Sequence, residues 1–220
     1  MSEKIRPTDY IEKEQKSQKG ERAYVKFPGK EIVPVTLSSR EIPTPYGGTV
    51  LEVKDDIEKL KRLWKKHNKA RYTYIHTHPY SPNNPKFEGR KIKYSPLPSA
   101  GDMNRFLGDD SVKSMAVAQI NRNADKIEGY FYLRKTKNTK PTGYYAIDKD
   151  ETLEEISRKG IVSGILKLLG IARKQKKIIK SLNRYERDTI EAQRADKPEQ
   201  LFPLVRGLAE KYHLNYRFVP

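Results

Sequence analysis

In the stretch YIHTHPYSPNNPKFEGRKIKYSPLPSAGDM, residues 74–103, His76 and His78 flank a single threonine. Side chains alternate between the two faces of a β-strand, so histidines two apart project together while Thr77 points the other way. Two imidazoles at the exposed end of a strand are half of a zinc site. A catalytic zinc needs a third protein ligand and leaves its remaining position to water. The chain has no cysteine, which excludes thiolate zinc sites, cysteine nucleophiles and disulfides. The third ligand must then be histidine, aspartate or glutamate. Asp102, at the start of the next helical stretch, is the natural candidate, and it would serve equally well as a helix N-cap. Of the other histidines, His67 reads as a solvated helix end and His213 as structural.

These side chains need a strand, a loop and a helix start around them, and the local patterns supply all three. RYTYIHTH (71–78) is rich in β-branched and aromatic residues and predicts a strand that Pro79 stops. GDMNRFLGD predicts a short helix after the loop. Upstream, ERAYVKF and EIVPVTLSS alternate around PGK (28–30) and predict a hairpin, with Pro34 marking an edge strand or a bulge. TVLEV (49–53) predicts a strand after the turn PYGG. DDIEKLKRLWKKH (55–67) switches to helical period, with Ile57, Leu60, Leu63 and Trp64 as its apolar stripe and charges that suit the helix dipole. KSMAVAQI (113–120), GYFYLRKT (129–136) and GYYAI (143–147) predict further strands, and residues 10–20 a short helix. Helices interleaved with strands imply an α/β (α+β) domain over residues 1–150. Residues 151–220 form a basic, mainly helical C-terminal extension, broken at Gly160, Gly164 and Gly170 and ending in one more helix and a short strand.

With 220 residues, 33% charged and 35% apolar, the chain is polar yet able to bury one sizeable core. No apolar run reaches the length of a bilayer span; the best, IVSGILKLLGIA (161–172), is short and carries Lys167. The N-terminus lacks the apolar core of a signal peptide, so the expectation is a cytoplasmic protein with no membrane partner. The net charge of +17 could steer nucleic acid or an acidic protein. The basic segment ARKQKKIIKSLNRYER (172–187) is read first as the solvated face of a helix whose apolar side docks on the domain, and second as a phosphate-tracking surface. Tyr72, Tyr74, Tyr130 and Tyr132 read as sheet residues rather than a stacking platform.

The joint pattern H-T-H-P at 76–79 and P-S-A-G-D at 98–102 resembles the JAMM/MPN+ zinc metalloproteases, whose signature is an upstream glutamate, then H-[ST]-H-P, then S-x-x-D. The flanking PLPSAGD is similar to prokaryotic JAMM proteins and to the related RadC proteins. The resemblance covers about residues 5–150 and implies an MPN/cytidine deaminase-like mixed sheet flanked by helices. It implies one zinc ion on His76, His78 and Asp102, with a bound water. It also implies a glutamate base just before the first strand, which favours Glu21 over Glu31, Glu41 and Glu52. Ser99 would donate to the oxyanion of the tetrahedral intermediate. The implied reaction is hydrolysis of peptide or isopeptide bonds, with a ubiquitin-like conjugate as the protein substrate. Two alternatives stand beside it: a catalytically inactive MPN scaffold, and a RadC-like nucleic-acid-associated protein. One departure is plain. Ser99 follows His78 by 21 residues, far more than is usual in that family, so the 80–98 loop carries an insertion, either a substrate contact or lid or a tolerated surface loop.

Overall fold

The computed structural model describes residues 11, 21–43, 49–80, 97–121, 126–142, 161–194 and 200–219. The predicted strand at 143–147, the turn 44–48, loop residues 81–96, residues 151–160 and all of the 10–20 helix except Ile11 lie outside them. The fold is mixed α/β. Eight strands and four helices occur among the described residues: β1 (Ala23–Lys26), β2 (Ile32–Pro34), β3 (Thr36–Pro43), β4 (Thr49–Asp55), α1 (Ile57–Lys66), β5 (Tyr72–Tyr80), α2 (Ala100–Gly108), β6 (Val112–Asn121), β7 (Lys126–Lys135), α3 (Ile161–Arg194), α4 (Leu201–Lys211) and β8 (Leu214–Val219).

Six strands form one mixed sheet in the order β2-β1-β5-β6-β7-β8, in which β5 and β6 run parallel and the other neighbours antiparallel. The β1–β2 hairpin closes through Phe27-Pro28-Gly29-Lys30, where Lys30 N–H donates to the Phe27 carbonyl at 3.1 Å and Gly29 takes φ +66°. Proline at the second position and a positive-φ glycine at the third make a type II turn. Pro34 lies on β2, the sheet edge, where a missing N–H leaves no ladder bond unmade. β3 and β4 pair only with each other, in a separate two-stranded sheet.

Three expectations need correction. Pro79 does not stop β5, which runs on to Tyr80 against β6. The Thr77 N–H points toward β1 and donates to the Arg22 carbonyl at 2.9 Å. Pro79, two residues on, turns its nitrogen to the same side, past the last β1–β5 pair at Ala23 and His76. No ladder bond is lost there. Second, α3 is one continuous helix of 34 residues through Gly164 and Gly170; its buried residues Ile178, Leu182 and Tyr185 hold it by packing, which outweighs helix propensity. Third, the α1 stripe is narrower than its pattern: Leu60 is buried, Leu63 and Trp64 are half-buried, and Ile57 is exposed.

Alternation on the strands divides the sheet into two faces. One carries Tyr72, Tyr74, Met115, Val117, Phe131 and Leu133, packed with Leu60 of α1, Met103 of α2, Leu182 of α3 and Leu208 of α4. The other carries Tyr24, Ile75, Ala116 and Ile120, with Ile11 against them. The C-terminal segment therefore contributes to the same core, and β8 extends the same sheet by pairing with β7. The basic side chains of α3 from Arg173 to Arg187 are exposed, as a docked amphipathic helix requires.

Candidate metal centre

β5 sets the site. Tyr72, Tyr74, His76 and His78 alternate with Thr73, Ile75 and Thr77, so both imidazoles reach the helix-covered face, with ring centroids 4.9 Å apart. β1 supplies the carboxylate on one side. Ala23 pairs with His76, and the antiparallel run continues as Thr77 N–H donates to the Arg22 carbonyl and Arg22 N–H to Thr77 Oγ1, each at 2.9 Å. Glu21 is the next residue out, and its Oε2 lies 3.1 Å from His76 Nε2. Glu31 is exposed at the start of β2, and Glu41 and Glu52 belong to the β3–β4 pair.

α2 supplies the carboxylate on the other side. Ser99 is its N-cap, and the S-x-x-D spacing is a capping box. Asp102 N–H donates to Ser99 Oγ at 3.1 Å, while Ser99 N–H donates back to Asp102 Oδ2 at 2.8 Å. This reciprocal pair satisfies two otherwise orphaned donors of the first turn and fixes the Asp102 rotamer. The motif is thus cap and site at once: Asp102 Oδ1 sits 2.5 Å from His76 Nδ1 and Oδ2 sits 3.3 Å from His78 Nε2. The Ser99 hydroxyl also donates to Asp102 Oδ2, at 2.7 Å, so here its proton serves the aspartate.

All five residues singled out in the sequence converge in this way. Glu21, His76 and His78 each offer a ligand atom, these atoms lie within 4.8 Å of one another, and the group could hold a metal ion. His76 Nε2 strengthens that fit. It is buried and makes no hydrogen bond, because its approach to Glu21 is close but not aligned as one. A buried nitrogen without a partner is costly unless something electron-poor occupies its lone pair or a proton is held there.

Electrostatics point the same way. Burial opposes charge on His76, yet the carboxylates of Asp102 and Glu21 together raise its pKa from 6.5 to about 10. Burial would likewise raise Asp102, but His76 and His78 hold it well below the usual carboxylate range. The site is thus built to keep the Asp102 carboxylate ionised against a positive centre, a proton on His76 in the absence of a cation. The sign of the consequence follows from linkage. Because the folded state holds the His76 proton more tightly than the unfolded chain, that stabilisation is complete below pH 6.5 and disappears as pH rises toward 10. Metal-free protein should therefore lose stability between those values, and His76→Gln should flatten the profile; denaturant unfolding at a series of pH values in chelator measures it.

Several residues without an obvious motif position the site. Asp55, buried at the end of β4, pairs with Arg105, one turn beyond Asp102 on α2. Tyr74 Oη lies 3.3 and 3.4 Å from the Asp55 oxygens, and the Arg105 guanidinium lies 4.4 Å from the Tyr74 ring centroid. From α3, Tyr185 Oη donates to the Pro98 carbonyl at 2.9 Å, next to Ser99. Buried Gln175 donates to Asn104 Oδ1 at 2.5 Å and accepts from Thr142 Oγ1 at the same distance. Tyr185 is visible in the sequence only as one position of the stripe Ile178, Leu182, Tyr185. Its partner lies 87 residues away, and no local pattern encodes that separation. His67 packs its ring on Phe27 at 4.6 Å, and His213 offers its carbonyl to Thr136 and Thr139, so both serve the fold.

No helix among the described residues is long and apolar enough to cross a membrane. Compared with family models, with curated proteins and with solved structures, the chain gives no match.

Proposed function

We propose that the chain is a JAMM-type zinc metallopeptidase that hydrolyses peptide or isopeptide bonds, with a ubiquitin-like conjugate as the substrate class. The observation that carries this reading is the seating of the Asp102 carboxylate between His76 and His78 with Glu21 at the remaining nitrogen of His76. His76, His78 and Asp102 are assigned as zinc ligands. Zinc, when bound, supplies Lewis acidity and lowers the pKa of its water to about 7.

The chain's own groups then divide the remaining work. Glu21, whose side chain is 14% exposed, is reachable by water yet held beside the histidines, as a general base requires. It takes a proton from the attacking water and returns it to the leaving amine as the carbon–nitrogen bond breaks. Ser99 is exposed at the rim of the site. Its hydroxyl can turn from Asp102 Oδ2 toward the oxyanion, while the Ser99 N–H keeps that oxygen satisfied. The substrate class rests on the family resemblance.

Metal analysis tests the proposal directly. Protein purified at neutral pH should carry near-stoichiometric zinc. Chelation should remove it together with cleavage of an isopeptide-linked ubiquitin-like dimer, and added zinc should restore both. Protein that arrives without zinc and takes none up when supplied would refute the assignment and leave an inactive scaffold.

A further inference from the structure

We propose that the sheet face opposite His76 and His78 binds a nucleotide, free or as part of a single strand of nucleic acid, with its phosphate on a cationic row and its base against Tyr130 and Tyr132. This rests on a different surface from the zinc reading and is independent of it. A cavity of about 660 Å³ opens there, within the size range of small-ligand sites.

Register builds the row. Lys26 pairs with Thr73, Thr73 with Ser114 and Ser114 with Arg134, so four neighbouring strands carry these residues side by side. Directly paired residues share a face, so all four line the cavity. Thr73 Oγ1 and Ser114 Oγ lie 2.8 Å apart at the centre of the row. Two hydroxyls have two protons and that bond uses one, leaving one to donate to an anion. Lys113 and Arg71 line the same end. Among the described residues, no carboxylate lines the cavity, and Lys26, Lys113 and Arg134 make no ion pair. One carboxylate ligand would need one or two cations; four around a hydroxyl pair suit a phosphate with more than one charge, or successive phosphates.

The next two rows explain the body of the ligand. Ala116 pairs with Tyr132 and Ala118 with Tyr130. Small residues on β6 beside half-buried tyrosines on β7 leave a trough with an aromatic wall, floored further by Ile75. Aromatic side chains on a sheet face, next to cations, are the elements that stack bases and hold phosphates. The expectation that Tyr130 and Tyr132 serve only the sheet is thus revised, while Tyr72 and Tyr74 do face the core.

Calorimetry with AMP and ADP, and fluorescence anisotropy with a short labelled single-stranded RNA at low salt, test this on the full chain. At least one probe should bind, and inorganic phosphate should compete. Lys26→Ala/Arg134→Ala and Tyr132→Leu should each weaken binding about tenfold or more, and Tyr132→Phe should leave it intact. Thermal unfolding and zinc content should match the wild type in each variant. Binding of mononucleotide identifies a free ligand, and binding of RNA alone identifies nucleic acid. Absence of binding by both probes would overturn the proposal. So would binding that survives these substitutions but is lost in Lys176→Ala/Lys177→Ala/Lys180→Ala, which would move the contact to α3.

Discussion

Glu21→Gln should retain zinc and lose about 10²- to 10⁴-fold in turnover, the range a positioned proton-transfer group contributes. Glutamine keeps the size of the side chain and one oxygen, so the β1 end and its neighbours stay in place. What disappears is the capacity to accept a proton at neutral pH. The variant also separates two ligand arrangements that the geometry allows. If Asp102 is the third ligand, Glu21 stands outside the coordination sphere and zinc content is unchanged. If the ion instead sits among Glu21, His76 and His78, whose ligand atoms lie within 4.8 Å of one another, glutamine replaces an anionic ligand and zinc is lost together with turnover. Kinetics alone cannot tell these apart, because activity falls either way. Zinc content measured on the same preparation does.

The parts of this site legible in the sequence are those fixed by local periodicity. His76 and His78 had to share a face once their segment formed a strand, and Ser99 and Asp102 had to face each other once a helix began between them. Glu21 was legible at one remove. Its place before β1 mattered only if β1 lay against β5, and the family resemblance rather than the residues supplied that pairing. What stayed hidden is tertiary. Asp55 and Arg105, 50 residues apart, each look like a solvated charge in the sequence. The Tyr185 bond to Pro98 and the Gln175 link to Asn104 likewise join segments that no spacing rule connects. The same reason governs β3 and β4. EIVPVTLSS reads as one hairpin arm and TVLEV as a strand, but the arm divides at Val35: Ile32–Pro34 pairs with β1, while the stretch from Thr36 pairs with β4 alone, a choice set by partners and not by alternation. Likewise, the glycines expected to break α3 do not: each costs about 1 kcal/mol in a helix interior, which a 34-residue helix docked further along through Ile178, Leu182 and Tyr185 absorbs.

Asp102→Ala should produce the largest combined effect, because one carboxylate performs three tasks. It receives both imidazoles, it accepts the Ser99 hydroxyl, and it closes the capping box at the start of α2. Removing it leaves the buried His76 ring with Glu21 as its only carboxylate neighbour among the described residues. Breaking a buried ion pair by deleting one partner costs about 3–5 kcal/mol. The low end applies here, since the imidazole can shed its proton once the charge that raised its pKa is gone. A metal-free unfolding free energy reduced by about 3 kcal/mol at pH 7 is therefore expected, and a loss smaller by about 1 kcal/mol for Asp102→Asn, which removes the same charge but keeps an acceptor for the cap. Zinc separates the roles further. With Asp102 as a ligand, both variants lose the ion almost completely, since a neutral amide is a poor zinc ligand. With Asp102 acting only to orient His76 through Nδ1, affinity falls about 10- to 100-fold and saturating zinc restores occupancy. Asp102→Ala protein that keeps full zinc and full stability would remove the carboxylate from the centre, and with it the reason to read the S-x-x-D turn as anything beyond a helix cap.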